Sequence, residues 1–315
     1  METKEHKTKY SVIIPVYDSA SIVGNTIERT IAFFESQSLQ HEVILVNDGS
    51  RDKSWQILRE HALGNPNITA INLLKNYGQH TAVYCGLKKS TGDFVITLDD
   101  DLQNPPEEIM HLIKKALEGH DVVLGRFRVK RHGFYRRMGS ILIGAVNELI
   151  FHKPKNLILS NFRIIHRDIV NKICAYKTNY PYITGLVLMF ASNPANVLTE
   201  HHRRSKGKSN YSLSAIARLC FRIIFNYSAY PLHLVSMLAF FIALVSLMLG
   251  SFYLAKKFFI GVSIPGWATV VVLISFFNGI IIFILSMLGE YTIRLLQQMS
   301  LAEGYEIKET VKADV

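Results

Sequence analysis

The stretch Val95-Ile-Thr-Leu-Asp-Asp-Asp-Leu-Gln-Asn-Pro-Pro-Glu107 is an apolar run that ends in three consecutive carboxylates. Because adjacent like charges repel, a folded protein keeps them where they bind a cation or stay solvated. On an extended chain alternate side chains share a face, which groups Asp99 with Asp101 and turns the middle carboxylate away. Such a pair suits Mg²⁺ or Mn²⁺, which take further ligands from water or substrate phosphates. The stretch also fits a plain acidic strand-to-helix turn, with Asn104 as N-cap and Pro105 at the first helical position.

Around this stretch, short apolar segments alternate with amphipathic ones. Strands are predicted at residues 10–16, 42–47, 68–73 and 94–98, and helices at 21–35, 53–63 and 79–90. This alternation predicts an α/β domain with a mostly parallel sheet. In such sheets ligands bind beyond the carboxyl ends of the strands.

Polar motifs follow the predicted strands: Pro15-Val-Tyr-Asp18, Asn47-Asp-Gly-Ser50, Lys75-Asn-Tyr-Gly-Gln79 and the three carboxylates. The ring of Tyr17 can stack on a base, and Asp48 can accept a hydrogen bond from a base or ribose. Gly49 lets the backbone come close to a ligand. Each motif alone is ordinary turn chemistry. Four of them at equivalent strand ends indicate one ligand cleft.

Two apolar runs, residues 230–255 and 267–289, contain no Asp, Glu, Lys or Arg. Each is about as long as a bilayer-spanning helix, and aromatic residues at their ends favour a membrane over a buried soluble hairpin. Basic residues before the first run outnumber Lys256 and Lys257 in the predicted connecting loop. The loop is therefore expected outside and both termini inside. Residues 1–10 are polar and predict no cleaved signal.

The predicted organisation has four parts. Residues 1–210 form the cytoplasmic α/β domain, 211–229 an amphipathic helix at the membrane interface, 230–289 a transmembrane hairpin and 290–315 a cytoplasmic tail. The inner (cytoplasmic) membrane is the expected location, and the lipid bilayer is an expected partner.

The net charge of +10 is unevenly distributed, since Glu200 is the one acidic residue between positions 169 and 289. A nucleic-acid binder or a protein beside anionic lipid would both show this pattern, and the apolar runs favour lipid and no nucleic acid. The basic loop at 201–211 is either a solvated charge run or a clamp for a substrate phosphate. Three scattered cysteines argue against a zinc site or disulfide framework.

The ordered motifs resemble the family 2 glycosyltransferases of the polyprenyl-phosphate type: Ser11-Val-Ile-Ile-Pro-Val-Tyr, Val46-Asn-Asp-Gly-Ser-Arg-Asp, Asn76-Tyr-Gly-Gln, Gly92 to Glu107 and Leu288-Gly-Glu-Tyr291. The resemblance implies a GT-A catalytic domain and two C-terminal spans. It also implies inverting transfer of one sugar from a UDP- or GDP-sugar to a polyprenyl phosphate, here undecaprenyl phosphate, for cell-envelope glycan such as lipopolysaccharide. A homo-oligomer, a tetramer in the family, is implied as well.

The resemblance also implies the donor site. Asp99 and Asp101 match the family's catalytic metal-and-diphosphate pair, and Gln103 completes that motif. The positions that match nucleotide contacts are Pro15, Tyr17 and Asp48, with Asp100 placed near the donor.

Basic residues are implied on the acceptor side. Arg128 (as a catalytic residue), Arg137, Ser140 and Arg163 fall where the family gathers acceptor and sugar-phosphate contacts, with Arg126 and Arg136 as rivals. Arg204 and Lys208 belong to the membrane-side basic loop. That loop commonly reads Gly-x-Ser-Lys-Tyr in the family, and Asn210 replaces its lysine here. Either Lys206 or Lys208 supplies that charge, or the phosphate is held differently.

Two other functions compete with this one. A processive polysaccharide synthase would carry a Gln-x-x-Arg-Trp signature and more spans, and neither Trp55 nor Trp267 stands in such a motif. A catalytically degenerate, membrane-anchored nucleotide-sugar-binding scaffold would be expected to lose Asp99, Asp101 or the basic loop, and the chain retains all three.

Overall fold

The computed structural model describes residues 8–127, 134–178, 180–200, 213–260, 266–299 and 304–313. The chain forms two compact units. One comprises residues 1–217 together with 302–315, and the other comprises residues 218–301.

The first unit alternates strands and helices. The strands are β1 (Lys9–Val16), β2 (Gln40–Asn47), β3 (Ile68–Leu73), β4 (Phe94–Thr97), β5 (Val122–Phe127), β6 (Arg163–His166), β7 (Pro194–Thr199) and β8 (Ile307–Lys312). The helices are α1 (Val23–Ser36), α2 (Ser54–Gly64), α3 (Gln79–Lys89), α4 (Ile109–Leu117), α5 (Phe134–Phe151), α6 (Arg167–Ala175), α7 (Ile183–Phe190) and α8 (Leu213–Tyr227), which runs into the second unit.

The eight strands form one sheet in the order β7-β5-β6-β4-β1-β2-β3-β8. Strand β1 lies parallel to both β2 and β4, β2 is parallel to β3, and β5 is parallel to β7. Strands β6 and β8 are antiparallel to their neighbours, so the sheet is mixed rather than simply parallel. The carboxyl ends of β1, β2, β3 and β4 therefore meet at one edge.

The centre of the sheet is buried on both faces. Ile13 and Ile14 are neighbours on β1 and point to opposite faces, yet neither has any exposed surface. Continuous apolar strands of this kind are typical of sheets covered by helices on both sides. Burying each such side chain contributes about 1.5–3 kcal/mol, which fixes the strand ends that carry the site.

The C-terminal segment contributes a strand that its mostly polar sequence does not predict. Residues 307–312, assigned above to a cytoplasmic tail, pair with β3 as the antiparallel edge strand β8. Val311 of this strand is 9% exposed and belongs to the core of the first unit.

The second unit contains α9 (Tyr230–Ile260) and α10 (Trp267–Met299), which include both predicted spans. Among the described residues, Phe276–Ile293 is long and apolar enough to cross a membrane, and none of it is buried. Residues Ile216–Tyr227 and Tyr230–Ile242 meet the same criterion together as a segment bent by 75°. The prediction that Lys256 and Lys257 lie in a loop is wrong, because α9 continues through them to Ile260.

Candidate active site

The three carboxylates lie in a turn just beyond β4. The last hydrogen bond between β4 and β1 runs from the amide of Leu98 to the carbonyl of Ile13 (3.0 Å). Strand pairing therefore ends before Asp99, and the alternation of side chains along a strand does not extend to the three carboxylates. Burial and the neighbouring charges of Asp101 and Asp100 nevertheless raise the pKa of Asp99 to about 6. Asp99 and Asp101 therefore share a region of concentrated negative charge.

Asp100 is engaged with the first loop of the domain. Its carboxylate accepts a hydrogen bond from the amide of Tyr17 (3.4 Å), and its carbonyl accepts one from the hydroxyl of Thr26 (2.9 Å). Burial raises the pKa of Asp100 to about 6. The Asp100 carboxylate therefore positions the loop that contains Tyr17. Asp99 and Asp101 are its neighbours in the turn of residues 99–103, the carboxylate turn.

The carboxylate turn is tightly built. Leu102 adopts a left-handed conformation with a φ of 55°, and the amide of Gln103 donates to Oδ1 of Asp101 (3.1 Å). A left-handed leucine is strained, and such strain concentrates at functional sites. The predicted cap is wrong by one residue, since Pro105 is the N-cap and Pro106 the first residue of a 3-10 turn that leads into α4. Proline suits the first helical position, and because two prolines stand in a row, Pro106 can take that position in place of Pro105.

Asp48 and the loop after β3 form the next part of the site. The carboxylate of Asp48 accepts hydrogen bonds from the amides of Tyr77 (2.7 Å) and Gly78 (2.9 Å). Gly49 has a φ of 66°, and a Cβ there would lie 2.5 Å from the amide nitrogen of Asn76. Asp48 therefore holds the loop at 74–78 in place, in addition to any contact with a ligand.

Tyr17 directly follows β1 and is 40% exposed, so its ring can stack on a planar ligand. The next residue, Asp18, has a left-handed φ of 50° and accepts a hydrogen bond from the amide of Arg51 (2.7 Å). The loops after β1 and β2 are thus tied together beside the carboxylate turn.

Arg163 is a fully buried cation near the carboxylates, 1% exposed on β6. Its guanidinium donates to the hydroxyls of Thr97 (3.3 Å) and Thr184 (3.3 Å). Among the described residues no carboxylate oxygen lies within 4.0 Å of it, although attraction to Asp99 partly offsets the burial that lowers the pKa of Arg163 to about 10. The charge is retained at neutral pH and has donors to spare.

One pocket is lined both by site residues predicted from the sequence and by residues that were not predicted. It is lined by Pro15, Gln79, His80, Val83, Thr97, Leu98, Asp99, Asn161 and Arg163. Gln79 donates to Asp99 (2.7 Å), and burial together with Arg163 lowers the pKa of His80 to about 4. The Gln79 signal was present in the Asn76-Tyr-Gly-Gln motif, whereas nothing in the sequence pointed to His80.

A family model described as glycosyl transferase family 2 matches residues 11–179, which contain every one of these side chains except Thr184. The chain belongs to glycosyltransferase family 2. It is therefore a glycosyltransferase, as the motifs predicted.

Two curated relatives of this glycosyltransferase match over nearly the whole chain. An undecaprenyl-phosphate 4-deoxy-4-formamido-L-arabinose transferase of Proteus mirabilis (strain HI4320) is 32% identical over 314 residues, covering 99% of this chain and 96% of the relative. The transferase of the same name from Pseudomonas syringae pv. syringae (strain B728a) is 34% identical over 308 residues, covering 96% and 91%.

Solved structures support the fold. Glucosyl-3-phosphoglycerate synthase from Mycobacterium tuberculosis has a TM-score of 0.53 in its complex with phosphoglyceric acid, at 16% identity over 70% of this chain and 80% of that one. Its complex with Mn²⁺, UDP and phosphoglyceric acid gives 0.51, at 16% identity over 69% and 76%. The family 2 glycosyltransferase described here therefore has a GT-A-like mixed α/β fold.

The residues available to a divalent cation are few. Within the described ranges no group of three or more His, Cys, Asp or Glu side chains could hold a metal. Asp99 and Asp101 offer hard oxygen ligands, and their mutual repulsion, which raises the pKa of Asp99, would be relieved by a cation. The pair fits Mg²⁺ or Mn²⁺ that takes its other ligands from water and phosphate.

Most predicted acceptor contacts lie outside the described residues. Arg128, Arg204 and Lys208 are in residues 128–133 and 201–212, and Arg136, Arg137 and Ser140 lie on α5 at positions where the backbone alone is described. Arg126 is exposed near the end of β5. The acceptor-side assignments therefore remain predictions.

Proposed function

We propose that this glycosyltransferase moves a single sugar, with inversion, from a nucleoside-diphosphate sugar to a polyprenyl phosphate at the cytoplasmic face of the membrane. The observation that carries the proposal is the carboxylate turn, where Asp99 and Asp101 concentrate negative charge at the edge of the sheet where four parallel strands end. Such a pair can bind the metal ion that stabilises a diphosphate leaving group. The mainly apolar helices α9 and α10 suit a lipid acceptor.

The chemistry asks little of a general base. A lipid phosphate oxygen is anionic near neutral pH and can attack the anomeric carbon directly, while the bond from that carbon to the nucleoside diphosphate breaks. A divalent cation bound by Asp99 and Asp101 would neutralise the charge that develops on the leaving diphosphate. Among the described residues, buried Arg163 beside Asp99 offers a second positive charge in the same pocket.

The donor's nucleotide is assigned to the loops after β1, β2 and β3. Tyr17 offers an exposed ring for the base, Pro15 lines the pocket, and Asp48 offers oxygen acceptors beside the loop at 74–78. Gln103 is assigned to the metal site with Asp99 and Asp101, and its main-chain amide donates a hydrogen bond to Asp101 (3.1 Å). The relatives named for undecaprenyl-phosphate transfer support undecaprenyl phosphate as the acceptor. Cell-envelope glycan as the destination is what the family resemblance implies.

Acceptor binding is assigned to basic residues next to the membrane. Bidentate guanidinium contacts can hold an anionic acceptor close to an anionic donor, which screens repulsion and fixes the line of attack. Arg128 is proposed as the catalytic member of this set. The residues proposed around the donor diphosphate and the acceptor phosphate are Arg137, Ser140, Arg204 and Lys208. The homo-oligomer implied by the resemblance also remains a prediction.

Sugar transfer is tested with the purified full chain in nanodiscs that contain undecaprenyl phosphate and Mn²⁺. A panel of radiolabelled UDP- and GDP-sugars is supplied, and label in the organic extract is counted. We expect one donor to give labelled lipid, and Asp101→Ala to reduce that signal at least about 100-fold through loss of charge stabilisation.

The matched control is Glu118→Ala, which removes an exposed carboxylate at the end of α4 that pairs with Lys115. Its transfer rate should equal that of the parent. Near-normal transfer by Asp101→Ala would overturn the metal assignment. Absence of labelled lipid with every donor would favour the nucleotide-sugar-binding scaffold instead.

A further inference from the structure

The C-terminal strand β8 lies beside the strand that leads into the candidate donor site. It pairs with β3 from Thr69 opposite Lys312 to Leu73 opposite Ile307, with an irregularity between Asn72 and Leu73. Asn72 in turn accepts a hydrogen bond from the side chain of Asn47 (2.8 Å), directly before Asp48. The last strand of the chain is therefore attached at the level of the site.

Contacts from the C-terminal segment continue past the ladder into the loop at 74–78. The amide of Leu74 donates to the carbonyl of Glu306 (2.9 Å), and the amide of Glu306 donates to the hydroxyl of Tyr77 (3.2 Å). The neighbouring Tyr305 is 6% exposed, so the segment is packed as well as hydrogen-bonded. The side chain of Glu309, a residue of β8, also forms an ion pair with Arg59 of α2 (3.7 Å).

The opposite side of the same loop is held by Asp48, which accepts from the amides of Tyr77 and Gly78. Gly49 permits the close approach, because a side chain there would collide with the backbone of Asn76. The loop is thus fixed between a residue of the candidate nucleotide site and a segment that follows the apolar helices in sequence. Tyr77 is engaged from both sides, by its amide and by its hydroxyl.

We propose that the C-terminal segment, residues 305–312, is a positioning element of the donor site that orders the loop at 74–78 for the nucleoside diphosphate. The proposal rests on the donor site assigned above and deepens it. Without β8, Leu74 and Tyr77 lose their outer partners. The loop is then held by its inner contacts, in which Asp48 accepts from the amides of Tyr77 and Gly78 and the Thr81 hydroxyl donates to the carbonyl of Tyr77 (3.2 Å). A loop ordered only on binding lowers affinity, because its conformational entropy is then lost at that step.

The test uses the full chain in nanodiscs with UDP and GDP as probes and Mn²⁺ present. Tyr77→Phe removes one hydroxyl and keeps the ring on which Lys75 lies at 5.3 Å. Val311→Asp places a charge at a buried position and should release β8. Lys312→Ala, an exposed change in the same strand, is the matched control.

We expect the dissociation constant of the bound nucleotide to rise about fivefold in Tyr77→Phe, the cost of roughly one hydrogen bond, and at least about tenfold in Val311→Asp. The KM for the sugar donor should rise in parallel, while kcat at saturating donor and the KM for lipid stay within about twofold. Lys312→Ala should match the parent in every measurement.

Hydrogen exchange supplies the readout that does not depend on transfer. Amides at 74–78 should exchange faster in Val311→Asp, and nucleotide binding to the parent should slow exchange in β8, because coupling between sites is reciprocal. Unchanged exchange at 74–78 in Val311→Asp, or unchanged nucleotide affinity in both variants, would overturn the positioning role. Failure of the parent to bind either nucleotide would overturn the donor site itself, a result distinct from both.

Discussion

At the residue scale, Asp99 combines a proposed function with a cost to stability. Its pKa of about 6 lies above the ordinary value of 3.8, so the folded protein retains a proton that the unfolded chain has released between these pH values. The sign follows from proton linkage: this group favours folding most below about pH 4, and that contribution is lost as the pH rises through 6. At neutral pH the ionised, metal-free carboxylate is therefore destabilising.

Asp99→Asn should stabilise the metal-free protein by about 1–2 kcal/mol at pH 8, because it removes a crowded charge and keeps an acceptor for Gln79. Relative to the parent, the thermal midpoint in detergent with EDTA should be higher at pH 8, and the difference should shrink as the pH falls through 6 and vanish below about pH 4. Sugar transfer should be lost. Asp168→Asn, an exposed carboxylate on α6, serves as the control and should change neither quantity. A midpoint for Asp99→Asn that is lower at pH 8 than that of the parent would contradict the charge argument.

The same carboxylate predicts the pH dependence of metal binding. A divalent cation must displace the proton of Asp99, so the apparent affinity for Mn²⁺ should be full above about pH 7 and about tenfold weaker at pH 5. The EPR signal of free Mn²⁺, recorded during titrations at several pH values, measures this directly. Asp99→Asn should bind weakly with no step near pH 6. Parent affinity that stays constant from pH 5 to 7.5 would show that the cation binds elsewhere.

At the element scale, the loops after β2 and β3 depend on the absence of a side chain at Gly49. Its φ of 66° and the 2.5 Å approach to Asn76 both disfavour any Cβ. Gly49→Ala should therefore displace the loop at 74–78, destabilise the protein by about 1–3 kcal/mol and weaken UDP binding.

Gly64→Ala is the matched control for that change. Gly64 ends α2, and a Cβ there meets nothing within 4 Å, so alanine should leave both the thermal midpoint and UDP binding unchanged or slightly raise the midpoint. If Gly49→Ala and Gly64→Ala had the same thermal midpoint and the same affinity for UDP, the close approach of Gly49 to Asn76 would not be required for stability or for nucleotide binding.

Elements with a strong local pattern could be predicted from the sequence, and several of the later strands could not. Apolar runs and strand-end turn residues were enough to predict β1 to β4 and the helices between them. The short segment Arg163–His166 carries little periodicity, and Ile307–Lys312 is mostly polar. Both become strands through pairing with distant residues of β4, β5 and β3, a tertiary effect that local propensity does not report.

At the scale of the whole molecule, the sequence led to the loops that converge but not to the roles of individual groups within them. Asp100 was predicted to lie near the donor, and its carboxylate also accepts a hydrogen bond from the Tyr17 amide, a role that the spacing did not indicate. Asp48 was given a ligand, and its oxygens already accept from Tyr77 and Gly78. Such roles depend on where a side chain lies relative to distant loops, which spacing along the chain does not reveal.

The orientation of the chain in the membrane can be tested by cysteine labelling. The excess of basic residues before the first apolar run predicts that the end of α9 faces outward and the C-terminal strand faces the cytoplasm. In a background in which Cys85, Cys174 and Cys220 are replaced by serine, Lys257→Cys and Lys308→Cys are exposed separately to an impermeant maleimide. In intact cells we expect labelling of Lys257→Cys alone, and labelling of Lys308→Cys after the membrane is permeabilised.

Labelling of Lys308→Cys in intact cells would place β8, and with it the sheet that carries the carboxylate turn, on the outer side. Cytoplasmic nucleotide sugars could not reach a site there, so the topology experiment also tests the proposed donor. Protection of both positions until permeabilisation would instead indicate that the apolar helices do not carry the end of α9 across the bilayer. Because β8 pairs with β3 in one continuous sheet, a single cysteine in β8 reports the side of the membrane on which the whole sheet lies.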